Sequence, residues 1–361
     1  MRHGGERELD EFASIGHWTA GRQSAQWQQE RGVVLGIGDD AAVVEAAEEP
    51  AAAWQWVLAV DTMVETVHFN DRTMTETDIG FKALAANVSD IAAMGGLPRH
   101  ALVSVSVPTS WGPERMRRLY DGLYSCAERY GVAVIGGDTT SSPQHLVISV
   151  TVVGSVESGR AIRRSGAKPG HLVFLTGPVG LSAAGLHGLL RGSAPVGEGE
   201  RDRRKAAPEA LVRAHRRPAP SVRAGRLLQQ RGTCTSLNDV SDGLASEAWE
   251  IAEASGVRLV LRDRELPRSG TLMSYAADAG CDPLEWMLYG GEDYVLLGTI
   301  EAADAEAAKE AFAAEGLPFY IVGEVEEGSP DVELIASLPA AGGNSMERRR
   351  QVPKRGYNHF I

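Results

Sequence analysis

Residues 78–107, DIGFKALAANVSDIAAMGGLPRHALVSVSV, place a helical pattern directly before a strand pattern. The first part, from about Asp78 to Met94, carries apolar residues at helical spacing, at Leu84, Val88 and Ile91, and predicts a helix. Thr75 or Thr77 can cap the start of this helix, and Gly95-Gly96 can end it. Residues 101–107 then alternate strictly between apolar and small polar side chains, which is typical of a strand with one covered face. This order of elements predicts an α/β chain.

The same mixture of strands and helices continues on both sides of this stretch. We predict further elements in the first half at 57–60 (strand), 113–130 (helix), 132–135 (strand) and 146–156 (strand). The strand at 57–60 is expected to end at Asp61, and the strand at 132–135 leads directly into Gly136-Gly137-Asp138.

A stretch rich in glycine, serine and charge, SGRAIRRSGAKPGH at 158–171, is the predicted junction between two domains. We therefore expect a first domain at 1–158 and a second α/β domain at 159–361. Elements predicted in the second domain are a strand at 172–176, a helix at 181–190, a polar loop around 192–207, a helix at 245–255, and strands at 257–261 and 293–300.

The composition is that of an ordinary globular chain. Asp and Glu number 48 against 36 Lys and Arg, and the formal net charge of -12 argues against a nucleic-acid partner. No apolar run reaches transmembrane length, and the charged N-terminus lacks the apolar core of a signal peptide, so no membrane partner is expected. Cys126, Cys234 and Cys281 are far apart and form no metal-binding spacing, which favours reduced thiols and a cytoplasmic protein.

Several aspartates lie beside glycines, at a predicted strand end or on a helix face. They are Asp39 and Asp40 in GIGDD, Asp61 in AVDTM, Asp90 in NVSDIAAMGG, Asp138 in IGGDTT, and Asp239 and Asp242 in NDVSDGL. Ligand sites gather at strand ends in α/β proteins, and oxygen ligands without His or Cys suit Mg²⁺. A single aspartate of this kind is more often a turn or cap residue. The number of such positions in one chain nevertheless favours a magnesium site.

Two glycine-rich turns precede aspartates in this set: Gly36 and Gly38 lie before Asp39-Asp40, and Gly136 and Gly137 lie before Asp138. Glycines of this kind let backbone amides approach a phosphate closely. The chain contains neither the GxxxxGK[ST] phosphate loop nor the HRD signature of protein kinases. If the chain handles ATP, it therefore uses another scaffold.

Together these motifs resemble the thiamine-monophosphate kinase family of the aminoimidazole-ribonucleotide-synthetase-like superfamily. The resemblance rests on GIGDDAAVV, DTMVETVHF, FKALAANVSDIAAMGGLP, IGGDTT, RSGAKPG, DVSDGL, YGGEDY and a C-terminal GYNHF, in that order. The His68-Phe69 pair, GGEDY at 290–294 and the terminal GYNHF narrow the match to the kinase.

The resemblance implies a two-domain α/β (α+β) fold in which the N-terminal sheet pairs with that of a second copy to form a barrel-like homodimer core. It also implies ATP as co-substrate, held with several Mg²⁺ ions. The implied reaction moves the terminal phosphoryl group of ATP onto thiamine monophosphate by direct in-line transfer, giving thiamine diphosphate, the last step of thiamine diphosphate biosynthesis. No covalent nucleophile and no obligatory base is expected.

Particular residues of this chain match the functional positions of the family. The resemblance implies metal ligands at Asp40, Asp61, Asp90, Asp138, Asp239 and Asp242, with Asp39 adjacent to them. It implies ATP contacts at Tyr120, Gly137, Asp138, Arg164 and Ser241. It implies substrate contacts at His68, Glu292 and Tyr357. The chain departs from the family at Ala59-Val60, where hydroxyl residues are common, and at Tyr357, where tryptophan is common.

An ordinary structural interpretation also exists for Arg164, His68, Glu292 and Tyr357. Arg164 could be a surface arginine of a basic junction, His68 a partly buried histidine with its hydrogen bonds satisfied, and Glu292 a turn acid. Tyr357 could pack the tail rather than stack on a flat heteroaromatic ring.

Three other functions remain open from the sequence. A different ATP-dependent synthetase of the superfamily is one, although a selenophosphate synthetase needs a reactive cysteine near the N-terminus and the first cysteine here is Cys126. A catalytically silent nucleotide sensor is the second, and Ala59-Val60 is the sequence feature that favours it. A metal-dependent phosphatase that needs no ATP is the third.

Overall fold

The computed structural model of the chain describes residues 24–29, 33–35, 38–45, 54–192, 206–339 and 345–357. Most of the polar loop predicted at 192–207 lies outside the described residues. So do Gly36, the last three residues of the GYNHF motif (Asn358, His359 and Phe360) and Ile361.

The first sheet has six strands in the order β1-β2-β3-β6-β4-β5. Its strands are β1 (Val33–Leu35), β2 (Ala42–Glu45), β3 (Trp54–Val64), β4 (Leu97–Pro108), β5 (Ala133–Ser142) and β6 (Val147–Glu157). The helices of this half are α1 (Ala25–Gln29), α2 (Glu76–Ala93) and α3 (Pro113–Tyr130). All neighbouring strands are antiparallel except β4 and β5, which run parallel and are joined through α3.

Helices α2 and α3 cover one face of this sheet and leave the other face open. In β3, Val57, Ala59 and Met63 are buried in the core with residues of α2, whereas Trp56 and Val60 are exposed. The alternation follows the period of two that a strand imposes on its side chains. The strict alternation at 101–107 therefore marks a strand of this sheet, as the sequence predicted.

The second sheet has seven strands in the order β13-β12-β9-β11-β7-β10-β8. Its strands are β7 (Leu172–Leu175), β8 (Cys234–Asp239), β9 (Arg258–Arg262), β10 (Leu296–Ile300), β11 (Tyr320–Glu326), β12 (Asp331–Pro339) and β13 (Ser345–Gln351). The helices are α4 (Leu181–Gly192), α5 (Glu209–Arg216), α6 (Val222–Arg231), α7 (Leu244–Ser255), α8 (Gly270–Ala279), α9 (Pro283–Tyr289) and α10 (Ala305–Ala314).

Both faces of the second sheet are buried around its inner strands β7 and β10. In β7, Val173 and Leu175 belong to one apolar cluster and Phe174 to another on the opposite face. All five residues of β10 are buried, which explains the continuous apolar run there. The predicted strand at 293–300 is thus shorter than expected, because residues 293–295 lie outside the ladder.

Helix α2 lies between the two halves of the chain. Ala92 and Ala93 pack with Phe174 and Leu237 of the second sheet. The side chain of Arg226 in α6 donates to the backbone oxygen of Gly95, just beyond α2, at 2.7 Å. The boundary predicted at residues 158 and 159 falls between the last strand of the first sheet and the first strand of the second, and it stays a prediction.

Two predicted strand ends are wrong. Asp61 lies within β3, which continues to Val64 because every residue of β3 from Trp54 to Val64 pairs with β6. Asp138 lies within β5, which runs through Gly136-Gly137 and pairs with β4 as far as Ser142. In both places long-range pairing extends the strand past residues that locally favour a turn. Within the residues that the structure covers, no helix combines the length and the apolar character needed to span a membrane.

Candidate functional site

Helix α2 carries the residues that organise the acidic site. Its start is fixed by a capping box, in which the Thr75 hydroxyl accepts from the backbone N–H of Asp78 and the Asp78 carboxylate accepts from that of Thr75. Near its end, Asn87 accepts a hydrogen bond from the backbone N–H of Asp61 at 2.9 Å. This bond ties the helix to β3 and holds Asp61 beside Asp90.

Three carboxylates meet where the two halves of the chain touch. Oxygen atoms of Asp40, Asp90 and Asp239 all lie within 4.8 Å of one another. Asp40 follows the bend after Gly38, Asp90 comes from α2, and Asp239 ends β8. The Ser89 hydroxyl donates to Asp239 at 2.5 Å, so neighbouring residues of α2 supply one carboxylate and orient another.

Burial and mutual repulsion raise the pKa values of these carboxyl groups. Burial raises the pKa of Asp90 well above its usual range, and the charges of Asp61, Asp239 and Asp40 add to this effect. Burial and then the charge of Asp40 do the same to the pKa of Asp239. Burial and Asp40 raise the pKa of Asp39 to about 6. A positive partner placed among these groups would relieve the repulsion.

The donor atoms of this cluster fit a hard divalent cation. All three groups offer carboxylate oxygens, the ligands that Mg²⁺ prefers in proteins. The Oδ2 atom of Asp40 is buried and has no hydrogen-bond partner among the residues that the structure describes. A buried carboxylate oxygen without a partner is costly, and a bound cation would satisfy it.

Arg164 is the cation that the chain itself brings to this cluster. Its guanidinium contacts Asp40 at 2.8 Å and Glu250 at 3.0 Å, and its backbone N–H donates to Asp39 at 3.2 Å. Burial would lower the pKa of Arg164, but the charges of Asp40 and Glu250 raise it above its already high value. Arg164 is therefore a largely buried group (its side chain is 13% exposed) and not a surface arginine.

The sequence interpretation missed two buried acids behind Arg164. Glu247 and Glu250 lie on α7, and Asn238 donates to both carboxylates, at 2.6 and 2.9 Å. Glu247 also accepts from the backbone N–H of Asp242 at 2.9 Å. Burial and the charge of Glu250 raise the pKa of Glu247 well above its usual range. Their spacing of three, directly after DVSDGL, was the available signal, but it is shared with any amphipathic helix.

A second group of predicted residues lines a pocket beside β5. Tyr120, Gly137 and Asp138 line this pocket of about 290 Å³ together with Tyr124 of α3. A Cβ atom on Gly137 would lie 1.8 Å from the backbone oxygen of Val103, so only glycine fits there. Asp138 is exposed and is not one of the three carboxylates that meet at Asp90.

The residues predicted to contact substrate lie near Ser241 and Asp242. The backbone N–H of Tyr357 donates to the backbone oxygen of Asp242 at 3.2 Å, so the tail folds back onto the DVSDGL motif. The rings of Tyr357 and His68 are 6.2 Å apart, with Tyr357 47% exposed. The backbone N–H of Glu292 donates to the backbone oxygen of Ser241 at 2.6 Å. The three residues thus gather around one motif.

Glu292 has an unusual backbone and two cationic neighbours. Its φ of 64° is in the left-handed region, which costs a non-glycine residue roughly 1–3 kcal/mol. Its carboxylate contacts Lys82 at 2.5 Å and His215 at 3.3 Å. Burial alone would raise the pKa of Glu292, but Lys82 and His215 lower it to about 2. The sequence interpretation missed Lys82, because a lysine in a helix usually faces solvent.

Comparison with known proteins identifies the class to which this fold and site belong. Two family models match the chain, the AIR synthase related protein N-terminal domain over residues 38–156 and the corresponding C-terminal domain over residues 168–335. These ranges cover most of both sheets.

Relatives similar over nearly the whole chain narrow the class. A thiamine-monophosphate kinase of Bacillus subtilis (strain 168) is 40% identical over 91% of this chain and 94% of its own length. The Salmonella typhimurium enzyme of the same name is 35% identical over 91% and 92%. A solved structure described as AaThiL complexed with AMPPCP and TMP matches with a TM-score of 0.76 and 32% identity, covering 99% of each chain. The chain therefore belongs to the thiamine-monophosphate kinase family of the AIR synthase related proteins.

Proposed function

We propose that this chain transfers the terminal phosphoryl group of ATP to thiamine monophosphate, giving thiamine diphosphate and ADP. The observation that carries the proposal is the match over 99% of the chain to AaThiL complexed with AMPPCP and TMP. The cluster of Asp40, Asp90 and Asp239 supports it, because carboxylates placed near two phosphorylated molecules need cations between them. At about 4 Å, two like charges repel by roughly 4 kcal/mol at an effective dielectric constant of 20.

The proposed metal is Mg²⁺, in several ions. Residues proposed to hold it are Asp40, Asp61, Asp90, Asp138, Asp239 and Asp242, with Asp39 adjacent. When bound, Mg²⁺ would neutralise phosphate charge and orient the phosphates. Ala59 and Val60 of β3 offer no side-chain ligand next to Asp61, so we expect only backbone oxygens to contribute there.

The proposed ATP contacts are Tyr120, Gly137, Asp138, Arg164 and Ser241. The first three line the pocket beside β5. Arg164 would offer its planar guanidinium to phosphate oxygens, for which its geometry is suited.

The proposed substrate contacts are His68, Glu292 and Tyr357. The exposed ring of Tyr357 would stack on a heteroaromatic ring of thiamine monophosphate, with the ring of His68 6.2 Å away from it. Glu292 has 29% of its side chain exposed and can accept a hydrogen bond from the substrate.

The chain's residues need only bind and orient the two reactants. A phosphate oxygen of thiamine monophosphate, ionised near neutral pH, attacks the terminal phosphorus of ATP. The bond from that phosphorus to the bridging oxygen of ADP breaks as the new one forms. No side chain has to remove a proton, so we expect no covalent intermediate and inversion at the transferred phosphorus.

We also propose that two copies pair through the open face of the first sheet to form a barrel-like core. Val60 and Leu102 flank Thr151 on this face and are 61% and 42% exposed. Trp56, further along β3, is 36% exposed. Exposed apolar residues concentrated on one sheet face are typical of an interface.

A cytoplasmic location of the chain is part of the proposed function and is supported by three free cysteines.

The direct test is incubation of the chain with ATP, Mg²⁺ and thiamine monophosphate, with product analysis by chromatography. We expect thiamine diphosphate and ADP in equal amounts, and no reaction with unphosphorylated thiamine. Nucleotide binding without ADP release would instead favour a sensor, and phosphate release without ATP would favour a phosphatase. Either result would contradict the proposed transfer.

A further inference from the structure

Lys82 is a buried ammonium without an evident structural purpose. It lies on α2 with its side chain 1% exposed, and its contact with Glu292 is the one ion pair that the described residues give it. Its Nζ atom makes no further hydrogen bond within the described part of the chain. A buried ion pair of this kind is seldom better for stability than apolar side chains of similar volume. A role that it exerts through Glu292 explains its presence better.

His215 holds the other oxygen of the same carboxylate. It lies on α5, is 1% exposed, and its Nδ1 atom is 3.3 Å from Glu292 and 3.1 Å from the Ser182 hydroxyl. Burial and the charge of Lys82 lower the pKa of His215, so the ring is neutral near pH 7. A carboxylate can only accept, so the contact requires the proton on Nδ1.

The two contacts fix the direction in which Glu292 faces. Lys82 touches Oε1 and His215 touches Oε2, from two different helices, and 29% of the Glu292 side chain remains exposed. The backbone of Glu292 is held at Ser241, next to the residue whose backbone oxygen holds Tyr357. Each carboxylate oxygen of Glu292 thus has one neighbour within the protein, and its remaining lone pairs can accept from a ligand.

The charge of Lys82 also decides what Glu292 can recognise. With a neutral His215, the pair of Lys82 and Glu292 carries no net charge, so attraction to a cation such as the thiazolium ring is largely cancelled. The remaining lone pairs still accept hydrogen bonds. A neutral N–H donor is therefore the better match.

We propose that Lys82 and His215 are positioning residues that orient the Glu292 carboxylate to accept a hydrogen bond from the exocyclic amine of the aminopyrimidine ring of thiamine monophosphate. This inference rests on the proposed function and explains how one proposed substrate contact, Glu292, is oriented. Because Lys82 contacts Glu292, a proposed substrate contact, it should affect substrate binding more than the chemical step.

The test is a double-mutant cycle on the full-length chain, with thiamine monophosphate and ATP varied separately. Lys82→Met and Glu292→Gln should each raise the KM for thiamine monophosphate roughly tenfold or more, while the KM for ATP stays within about twofold. The double variant should match Glu292→Gln alone, because Lys82 acts through Glu292. Lys309→Met, at an exposed position of α10, is the matched control and should behave as wild type.

Effects that multiply in the double variant, or equal rises in both KM values, would overturn the inference. Lys82→Met alone leaves Glu292 without its counter-charge and can fold poorly. The double variant removes both charges, so its comparison with Glu292→Gln decides the question even in that case. A wild-type chain that does not convert thiamine monophosphate would overturn the proposed function and this inference with it.

A binding measurement without turnover tests the ligand group directly. The probe is a thiamine monophosphate analogue with hydrogen in place of the exocyclic amine, measured by calorimetry in the absence of ATP. Wild type should bind it roughly tenfold more weakly than thiamine monophosphate, and Glu292→Gln should discriminate much less between the two. Equal binding of both ligands by wild type would contradict the proposed hydrogen bond.

Discussion

The role of each charged residue of the site depends on the residues around it. Asp40, Asp90 and Asp239 could be selected from the sequence because each stands beside glycine, serine or a strand end. Lys82 and Glu247 could not, because their local sequences resemble those of ordinary helices. What distinguishes them is burial. Lys82 is buried against Glu292, more than a hundred residues away, and Glu247 accepts from the backbone N–H of Asp242. The local sequence does not show whether a side chain is buried.

Asp90→Asn tests whether the acidic cluster destabilises the metal-free protein and whether the cluster is needed for turnover. In protein stripped of metal by EDTA, the variant should melt at the same or a higher temperature, because one of three repelling carboxylates is removed. Turnover should fall at least roughly 100-fold, and the rise in melting temperature on adding Mg²⁺ should largely disappear. Thermal melts with and without Mg²⁺ measure this.

Asp121→Asn, at an exposed position of α3, is the control for this experiment and should retain both activity and the Mg²⁺ effect. If Mg²⁺ stabilised Asp90→Asn as strongly as wild type, Asp90 would not be a metal ligand.

At the scale of elements, the ends of the four helices that the sequence predicted match the structure better than the predicted strand ends around the site. The helix expected at about 78–94 is observed at Glu76–Ala93, and Thr75 proves to be its cap. Its start depends on residues within four positions of one another, which a sequence displays. The continuation of β3 and β5 past their aspartates depends on pairing with β6 and β4, which a local pattern cannot display.

Glu76→Gln tests the electrostatic support of α2. The hydrogen bond from Arg118 is the main cause that lowers the pKa of Glu76, to about 2, and Arg115 lies 2.9 Å away. A depressed carboxyl pKa stabilises the fold above the unfolded pKa of about 4.5, and this stabilisation is lost as the pH falls towards 2. The variant should lose about 1 kcal/mol at pH 7, since solvent screens the pair.

Urea unfolding at a series of pH values measures this difference. It should stay constant from pH 8 to about 5 and shrink below about pH 4.5. Glu128→Gln, on the exposed side of α3, supplies the control and should show no such dependence. A difference that persisted unchanged to about pH 3 would contradict the assigned role of Glu76.

At the scale of the whole molecule, the fold class followed from alternating strands and helices, whereas the way the halves meet did not. The Ser89–Asp239 hydrogen bond joins residues 150 positions apart. The sequence around either residue gives no sign that the other lies beside it in the fold. Only the family resemblance implied that Asp90, the residue after Ser89, and Asp239 belong to one site.

Val60→Asp tests the proposed pairing of two copies. Symmetry would place two new carboxylates in the interface, so the dimer dissociation constant should rise at least roughly tenfold. Sedimentation velocity over a range of concentrations measures it. Leu190→Asp, at an exposed position of α4, should leave the association unchanged. A Val60→Asp chain that associated as tightly as wild type would rule out this face as the interface.

The placement of α2 between the halves has a consequence for synthesis. As the chain leaves the ribosome, Lys82 emerges long before Glu292, the residue with which it pairs in the finished protein. Until then, the ammonium group must stay in water, since burying it without its partner is unfavourable. The first half therefore cannot close completely around α2 by itself, and the segment that carries Glu292 completes the fold there.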